Sequence, residues 1–432
     1  MKVSSTTETR ERVLLAGVGI KRAPRIPGQP AGEAERESLR ELEELARSAG
    51  ADVAGSVFQM RDAIDPATLI GRGKMEEVKI EAQMRDAAVI VFDRNLSPVQ
   101  QRNLERGTDR RVIDRTQLIL DIFARHARSR EGQLQVELAQ LNYLLPRLTG
   151  KGAELSRLGG GIGTRGPGEQ KLETDRRRIR DRVRKITESI DVVSRQRRQR
   201  RHARQAVPLS MVALVGYTNA GKSTLFNALT RADVLVSPKM FATLDPTVRG
   251  VRLPSGRRVL LSDTVGFIRD LPPGLIAAFR ATLEEVQEAA LILHVTDVSN
   301  PNNAEQDAEV EKILSDLGVG ERPRMRVLNK IDRLAPEEAA QIRDASGASL
   351  VSALTARGLE DLLRRIDDRL PADPVVRLHF RLPLSDGRTL AMVHGLARVI
   401  RSRVDGSCMF FEAEMPESVA RRLRLRSADL PE

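Results

Sequence analysis

The fold is decided by the stretch Gly216-Tyr217-Thr218-Asn219-Ala220-Gly221-Lys222-Ser223. It has the pattern GxxxxGK[ST], follows the apolar run Met211 to Val215 and precedes the helix-like residues Thr224 to Leu229. This order of strand, loop and helix is what a phosphate-binding loop requires. Backbone N–H groups of such a loop point at the β-phosphate, and the helix N-terminus adds partial positive charge. The stretch predicts a P-loop domain in which Lys222 contacts the β- and γ-phosphates and Ser223 holds Mg²⁺.

A second motif, Asp263-Thr264-Val265-Gly266, follows the apolar run Val259 to Leu261. Its place at a strand end predicts that Asp263 supports the Mg²⁺ ion and that Gly266 approaches the γ-phosphate. Ras-like GTPases carry a water-orienting glutamine directly after this glycine, where this chain has Phe267. A phenyl ring cannot orient water, so slow intrinsic hydrolysis is expected. The alternative is that the ring packs away from the nucleotide and its identity is incidental.

The motifs Asn329-Lys330-Ile331-Asp332 and Ser352-Ala353-Leu354 predict the base. A carboxylate at Asp332 can accept hydrogen bonds from N1–H and N2–H₂ of guanine, whereas adenine offers neither. A site built for a hydrogen-bonding group can reject a ligand that lacks it by about 10⁴-fold. We expect Asn329 to support the loop, Lys330 to cover the base and the Ala353 N–H to meet O6. Four such motifs in this order predict a GTPase.

The predicted GTP-binding residues lie in the four motifs and at the start of the helix after the first: Gly216, Tyr217, Thr218, Asn219, Ala220, Gly221, Lys222, Ser223, Thr224, Asp263, Thr264, Val265, Gly266, Asn329, Lys330, Asp332, Ser352, Ala353 and Leu354. Lys222 and Gly266 are also expected to act in catalysis. An asparagine at the position of Asn219 recurs in GTPases that coordinate K⁺ beside the α- and γ-phosphates, so Asn219 is a candidate K⁺ ligand.

Composition favours a cytoplasmic protein with an anionic partner. The 432 residues suffice for about three domains of roughly 150 residues each. The single cysteine, Cys408, excludes an internal disulfide and a cysteine-built metal site. The first residues contain no apolar h-region and no segment approaches the length of a membrane span, so we expect neither a leader nor a span, and we expect a monomer. The formal charge of +12 favours a polyanion as partner.

The predicted architecture is α/β and multidomain. We expect a disordered tail (1–10), a small parallel α/β domain (11–127), an antiparallel helical hairpin (128–206), a Ras-like P-loop GTPase domain (207–370) and a small α+β domain (371–432). The first of these domains is predicted from alternating strand-like and helix-like segments. Its Gly71-Arg72-Gly73-Lys74 stretch resembles a truncated phosphate loop, but the spacing favours a tight turn at a helix start.

Two narrow apolar seams predict the hairpin. The first seam comprises Leu134, Leu138, Leu141, Leu145 and Leu148, and the second comprises Leu172, Ile179, Val183, Ile186, Ile190 and Val193. Helices that are this polar outside one seam should pair with each other as a protruding hairpin. The alternative is that each helix packs separately on a domain.

The connection between the two helices, 149–169, is long and rich in glycine. Loops of this length are usually functional or disordered, and arginines crowd the helix that follows. We expect RNA contacts from six residues: Gly160, Gly161, Arg165, Arg176, Arg177 and Arg180. RNA is favoured over duplex DNA because no groove-reading motif appears. The alternative is a solvated charged face.

The chain resembles the HflX-type ribosome-associated GTPases over almost its whole length. The likeness rests on five stretches: Leu69 to Lys74, Asp114 to Phe123, Gln135 to Leu141, Gly159 to Glu169 with Leu172 to Asp175, and Phe241 to Thr247. The last of these resembles the switch I of the family, which implies that Thr243, or failing it Thr247, contacts Mg²⁺ and the γ-phosphate as a catalytic residue. Gln170-Lys171 departs from the Thr-Gln usual in the family, which affects fine contacts of the loop.

The resemblance implies binding to the large (50S) ribosomal subunit, with the helical arm reaching rRNA near the peptidyl transferase centre. Members with bound GTP split stalled or idle ribosomes into subunits, often under stress. Three alternatives stay open: a ribosome-assembly GTPase, an ATP-dependent RNA remodeller that uses the N-terminal domain, and a nucleotide-gated scaffold without RNA contact.

Overall fold

The computed structural model describes residues 10–21, 33–148, 167–204, 209–230, 240–241, 246–269, 285–371 and 374–425. These residues form two compact units. The first contains the residues up to Val193 together with Met240 and Phe241, and the second contains the others from Ser194 onward. Several predictions fall outside the described ranges: the tail as far as residue 9, most of the loop 149–169, and Thr243, Gly160, Gly161 and Arg165.

A parallel sheet forms the centre of the first unit. Its strands are β1 (Arg12–Ile20), β2 (Asp52–Arg61), β3 (Val89–Phe92) and β4 (Arg111–Asp114), and their spatial order is β2-β1-β3-β4. The helices are α1 (Glu33–Ser48), α2 (Arg72–Met84), α3 (Pro98–Thr108) and α4 (Arg115–His126). The predicted parallel α/β domain is confirmed.

Side-chain caps explain where two of these helices begin. The Ser97 hydroxyl accepts from the Gln100 N–H while the Gln100 side chain accepts from the Ser97 N–H, a reciprocal capping box before α3. Asp114 likewise accepts from the N–H of Gln117 at 2.8 Å before α4. The core beneath them contains the fully buried Phe92 and Leu104. The caps satisfy backbone N–H groups at the start of α3 and α4.

The middle of the chain is helical. Helix α5 (Arg130–Leu144) continues into a 3₁₀ turn (Leu145–Leu148), and the long helix α6 spans Pro167–Arg204. One residue of each seam is buried, with Leu134 3% and Ile186 1% exposed. A two-pronged ion pair joins the helices, because Arg182 donates to both carboxylate oxygens of Glu137 at 2.7 and 3.0 Å. The helical middle is thus confirmed.

The second unit holds a six-stranded mixed sheet. Its strands are β5 (Met211–Val215), β6 (Thr247–Arg252), β7 (Arg258–Asp263), β8 (Leu291–Asp297), β9 (Arg324–Asn329) and β10 (Ser349–Leu350), in the order β10-β9-β8-β5-β7-β6. Strand β6 pairs antiparallel with β7, and the other pairings are parallel. The helices are α7 (Lys222–Thr230), α8 (Asn303–Asp316), α9 (Pro336–Ser346) and α10 (Leu359–Arg369). The predicted P-loop GTPase fold is confirmed.

A smaller antiparallel sheet follows in the same unit. It consists of β11 (Val375–Pro383), β12 (Arg398–Asp405) and β13 (Cys408–Pro416), with β13 in the centre, and carries α11 (Gly387–Leu396) and α12 (Glu417–Arg422). This agrees with the predicted α+β domain. Across the part of the chain that the structure describes, no helix is both long and apolar enough to cross a bilayer.

Candidate nucleotide-binding site

The loop after β5 requires glycine at two positions. Gly216 has φ +151°, and a Cβ there would lie 2.2 Å from the carbonyl oxygen of Val295. Gly221 has φ +90°, and its Cβ would lie 2.3 Å from Nδ2 of Asn329. Any larger residue would force these neighbours apart. The loop therefore sits tightly against β8 and against the Asn329 motif, at the carboxyl end of a central strand, where α/β sheets bind ligands.

Lys222 is the buried cation of this loop. It is 6% exposed, and its Nζ donates to the carbonyls of Gly216 at 3.0 Å and Tyr217 at 2.8 Å. Burial lowers the pKa of Lys222 to about 8, against the opposing charge of Asp263. An anionic group beside this ammonium would favour its charged form. Lys222 is therefore held where it can neutralise a phosphate that lies in the loop.

Ser223 and Asp263 come together although 40 residues separate them. The Ser223 hydroxyl, in the first turn of α7, donates to Oδ2 of Asp263 at 2.7 Å, at the end of β7. A hydroxyl and a carboxylate are oxygen donors of the kind that Mg²⁺ prefers. These two residues fit a Mg²⁺ site, and Thr243, the third predicted ligand, lies outside the described residues.

Asn329 joins three motifs. Its Nδ2 donates to the carbonyl of Ala220 at 2.9 Å, and its Oδ1 accepts from the N–H of Ala353 at 3.0 Å. The residue is 1% exposed, so both hydrogen bonds lie away from bulk water. Ser352 in turn donates to Oδ1 of Asp332 at 2.6 Å. The structure thereby brings the P-loop, the Asn329 motif and the Ser352 motif to one place, with the Asp332 carboxylate oriented at its edge.

Asp297 is a residue that the sequence reasoning missed. It ends β8, and its Oδ2 accepts from Nζ of Lys330 at 2.6 Å, with the two side chains 13% and 15% exposed. The partner has a left-handed backbone, φ +67°. The pair fixes the direction of the lysine stem that was predicted to cover the base. The signal available in the sequence was a carboxylate at the end of the largely apolar run Leu291 to Thr296. Asp263 ends its own strand in the same way.

Gly266 and Phe267 pack against the P-loop. A Cβ on Gly266 would lie 2.9 Å from Cα of Thr218 and 3.0 Å from Nζ of Lys222. The carbonyl of Phe267 accepts from the Thr218 N–H at 2.7 Å, its N–H donates to Gly216 at 3.1 Å, and the residue is 3% exposed. The phenyl ring is therefore part of the packed interior. This supports the alternative that its identity has no direct part in the chemistry.

The other residues predicted to bind the nucleotide differ in how far they are buried. Those that lie buried are Tyr217, Thr218, Ala220, Thr264, Val265, Ser352 and Ala353. Among the described residues Thr218 Oγ1 has no hydrogen-bond partner, and Thr224 is half-buried. Asn219 is exposed, with the left-handed φ of +63° that asparagine tolerates. Leu354 is 79% exposed.

The arginines of α6 form a separate basic surface. Arg177 and Arg180 are exposed and Arg176 is half-buried. The Glu173 carboxylate lies 3.8 Å from the guanidinium group of Arg180, and exposed ion pairs at such a separation are weak. The guanidinium groups therefore keep most of their capacity to bind an anion.

Three family models match consecutive parts of the chain. They are described as "GTP-binding GTPase N-terminal" over residues 36–124, "GTP-binding GTPase Middle Region" over 126–204 and "50S ribosome-binding GTPase" over 211–330. The third covers the P-loop and the Asp263 motif and ends at Lys330, within the Asn329 motif.

Proteins described as "GTPase HflX" match most of the chain. That of Caldanaerobacter subterraneus subsp. tengcongensis is 48% identical over 90% of both chains. That of Lacrimispora saccharolytica is 44% identical over 95% of both chains, and that of Escherichia coli is 43% identical over 90% of this chain and 92% of its own. With the GTPase motifs assembled at one sheet edge and such likeness along nearly the whole sequence, the chain belongs to the HflX family of GTPases.

Proposed function

We propose that this chain binds GTP with Mg²⁺ at the carboxyl end of β5 and acts on the large ribosomal subunit, splitting stalled or idle ribosomes. GTP hydrolysis is the activity of the family. The observation that carries the nucleotide-binding part of the proposal is the pair of hydrogen bonds that Asn329 makes with Ala220 and Ala353, since they hold the phosphate-binding and base-binding segments in one site.

The chain supplies positioning and charge, which is most of what phosphoryl transfer requires of a protein. Lys222 neutralises charge on the β- and γ-phosphates, and Gly266 leaves room for the γ-phosphate beside it. Ser223 and Asp263 would hold Mg²⁺, and the ion would neutralise charge on the same phosphates. We assign the γ-phosphate contact of switch I to Thr243 and a K⁺ contact to Asn219.

Guanine recognition is assigned to the other end of the site. The Asp332 carboxylate, already oriented by Ser352, accepts from N1–H and N2–H₂ of the base. The Lys330 stem, directed by Asp297, covers the ring. An adenine ring would leave the carboxylate unpaired, and the loss of such a bond disfavours the wrong ligand strongly.

We assign ribosome binding to the helical middle, residues 128–206. It is one of five segments of the chain, for all of which we keep the bounds predicted from the sequence. The exposed arginines of α6 support it, because each phosphate they neutralise releases counterions. We assign rRNA contacts to Arg176, Arg177 and Arg180, and to Gly160, Gly161 and Arg165 in the preceding loop. The description "50S ribosome-binding GTPase" of the matching family model supports the large subunit as the partner.

Sucrose-gradient sedimentation of ribosomes with the full chain tests this function against its alternatives. A GTP analogue should release subunits, and GDP and ATP should not. Binding confined to precursor particles would instead indicate an assembly factor, and release that needs ATP would indicate an RNA remodeller. Absence of the chain from every ribosomal fraction would indicate a scaffold that does not contact RNA.

A further inference from the structure

The C-terminal sheet has one covered face and one open face. Successive residues of a strand point to opposite faces. Phe380 of β11 and Phe411 of β13 are 3% and 0% exposed and pack with Val393 of α11, which defines the covered face. Their chain neighbours Arg381 and Phe410 therefore lie on the open face. Neither the nucleotide site nor α6 includes this surface.

The open face is rich in arginine. Its charged side chains are five arginines and three carboxylates in adjacent register, with His379 beside them on β11: Arg377, Arg381, Arg398, Arg401, Arg403, Asp405, Glu412 and Glu414. Glu412 pairs with Arg377 and lies 3.9 Å from Arg401, and Glu414 lies 3.5 Å from Arg398. The two glutamates thus offset the positive charge at one end of the face, whereas at the other end two arginines, Arg381 and Arg403, share the face with the single carboxylate of Asp405, which leaves a net positive charge there.

The basic end has an aromatic ring between two guanidinium groups. Phe410 on the central strand is the register partner of both Arg381 on β11 and Arg403 on β12. Both arginines are exposed and Phe410 is partly exposed. Within the described ranges, neither arginine forms an ion pair, in contrast to the other three of this face. We call these residues the Arg381–Phe410–Arg403 row.

This arrangement has the chemistry of a platform for single-stranded RNA. An aromatic side chain in a positively charged groove stacks an unpaired base without selecting its sequence. Neighbouring strands lie about 4.8 Å apart, which places a guanidinium on each side of the stacked base, within reach of the phosphates before and after it. An acidic peptide would use the two charges and leave the ring without a stacking partner.

We propose that the Arg381–Phe410–Arg403 row binds single-stranded RNA, with one base stacked on Phe410 and flanking phosphates on Arg381 and Arg403. This surface goes beyond the proposed function, which assigns RNA contact to the helical middle. It requires neither nucleotide nor a ribosome, so its test is independent of subunit release.

The test is fluorescence anisotropy with a labelled twelve-residue oligouridylate and the full chain. All variants carry Arg176→Glu, Arg177→Glu and Arg180→Glu, so that binding by α6 does not mask the second surface. In this background Phe410→Ala should weaken binding by about fivefold or more, because one stacked base is lost. Phe410→Trp should retain binding, and Phe410→Leu, which keeps apolar bulk without a π face, should behave as the alanine variant.

The double variant Arg381→Gln/Arg403→Gln should reduce the slope of log affinity against log salt by about 1.4, since each phosphate contact to a single strand contributes about 0.7. Arg421→Gln, an exposed arginine of α12 paired with Glu417, is the matched control and should leave affinity unchanged. Equal affinity of the Phe410→Ala and parent proteins would overturn the proposal. So would tighter binding to an oligoglutamate peptide than to oligouridylate, or binding of duplex RNA as tight as that of the single strand.

Discussion

The amide of Asn329 donates a hydrogen bond to the carbonyl of Ala220 at 2.9 Å and thereby joins the base-binding motif to the P-loop. The same side chain accepts from Ala353, so one residue sets the spacing between the phosphate and base ends of the site. With 1% of the residue exposed, both bonds form away from bulk water.

Asn329→Ala should therefore weaken GTP affinity by about tenfold or more, because two buried hydrogen bonds worth about 1 kcal/mol each are lost. Titration with a fluorescent GTP analogue measures the change. Asn303→Ala at the start of α8 serves as a control and should bind as the parent does. Unaltered affinity of the Asn329 variant would show that the bridge does not organise the site.

Asp332→Asn should shift the preference from guanosine towards xanthosine nucleotides. The new amide would donate to the C2 carbonyl of xanthine, whereas it would face the N2–H₂ donor of guanine. Competition of GTP and XTP for the site measures the preference, with Asp361→Asn on the exposed side of α10 as the control. GTP affinity equal to that of the parent chain would refute the base assignment.

Hydrolysis should be faster in KCl than in NaCl at equal ionic strength if Asn219 holds K⁺, because the cation adds positive charge beside the phosphates. Asn219→Gly is the informative variant, since glycine accepts the left-handed φ of +63° without strain. It should abolish the difference between the two salts. Equal rates in both salts for the parent, or a difference that persists in the variant, would argue against the K⁺ assignment.

Much of the site could be predicted from sequence because its parts are local. A glycine pattern between a strand and a helix fixes the P-loop, and a carboxylate that ends a strand fixes Asp263. Asp297 was missed because its partner Lys330 is 33 residues away, and the sequence does not state which strand ends are neighbours. The packing of Phe267 likewise depends on bonds to Gly216 and Thr218, which appear only once the two loops are adjacent.

The same distinction applies to the fold. The alternation of strand-like and helix-like segments predicted the parallel α/β domain, since those signals lie within each element. The sequence analysis predicted an α+β domain here without locating the edge strand β12. The residues of this strand, RVIRSRVD, are largely exposed in the structure, and four of them are charged. It is held by pairing with β13, a tertiary effect that overrides local preference. The register of this pairing places Arg403 beside Phe410.

Asp307 should stabilise the GTPase domain in a pH-dependent way. Burial alone would raise the pKa of this carboxyl, but contact with His294, the hydrogen bond from Thr296 and the charge of Arg326 hold it below its ordinary value. A carboxyl whose pKa is lower in the folded state contributes stability that is complete above about pH 5 and is lost as the pH falls below about 4.

Asp307→Asn should accordingly destabilise α8 near neutral pH by about 1–3 kcal/mol, with the difference from the parent shrinking towards pH 4. Amide hydrogen exchange of α8 across this range measures it. Asp316→Asn, at the exposed end of the same helix, should have little effect. A penalty that stays constant from pH 7 to pH 4 would show that the charge of Asp307 is not responsible.

The central claim is that a GTP site in one domain drives ribosome splitting through a basic arm in another. Light scattering of purified 70S ribosomes mixed with the full chain and GTP tests it most directly, when the parent is compared with Arg176→Glu/Arg177→Glu/Arg180→Glu. The account predicts that the parent lowers the scattering as subunits separate and that the triple variant, with unchanged affinity for GTP, fails to do so. Release by the triple variant at the rate of the parent would contradict the claim.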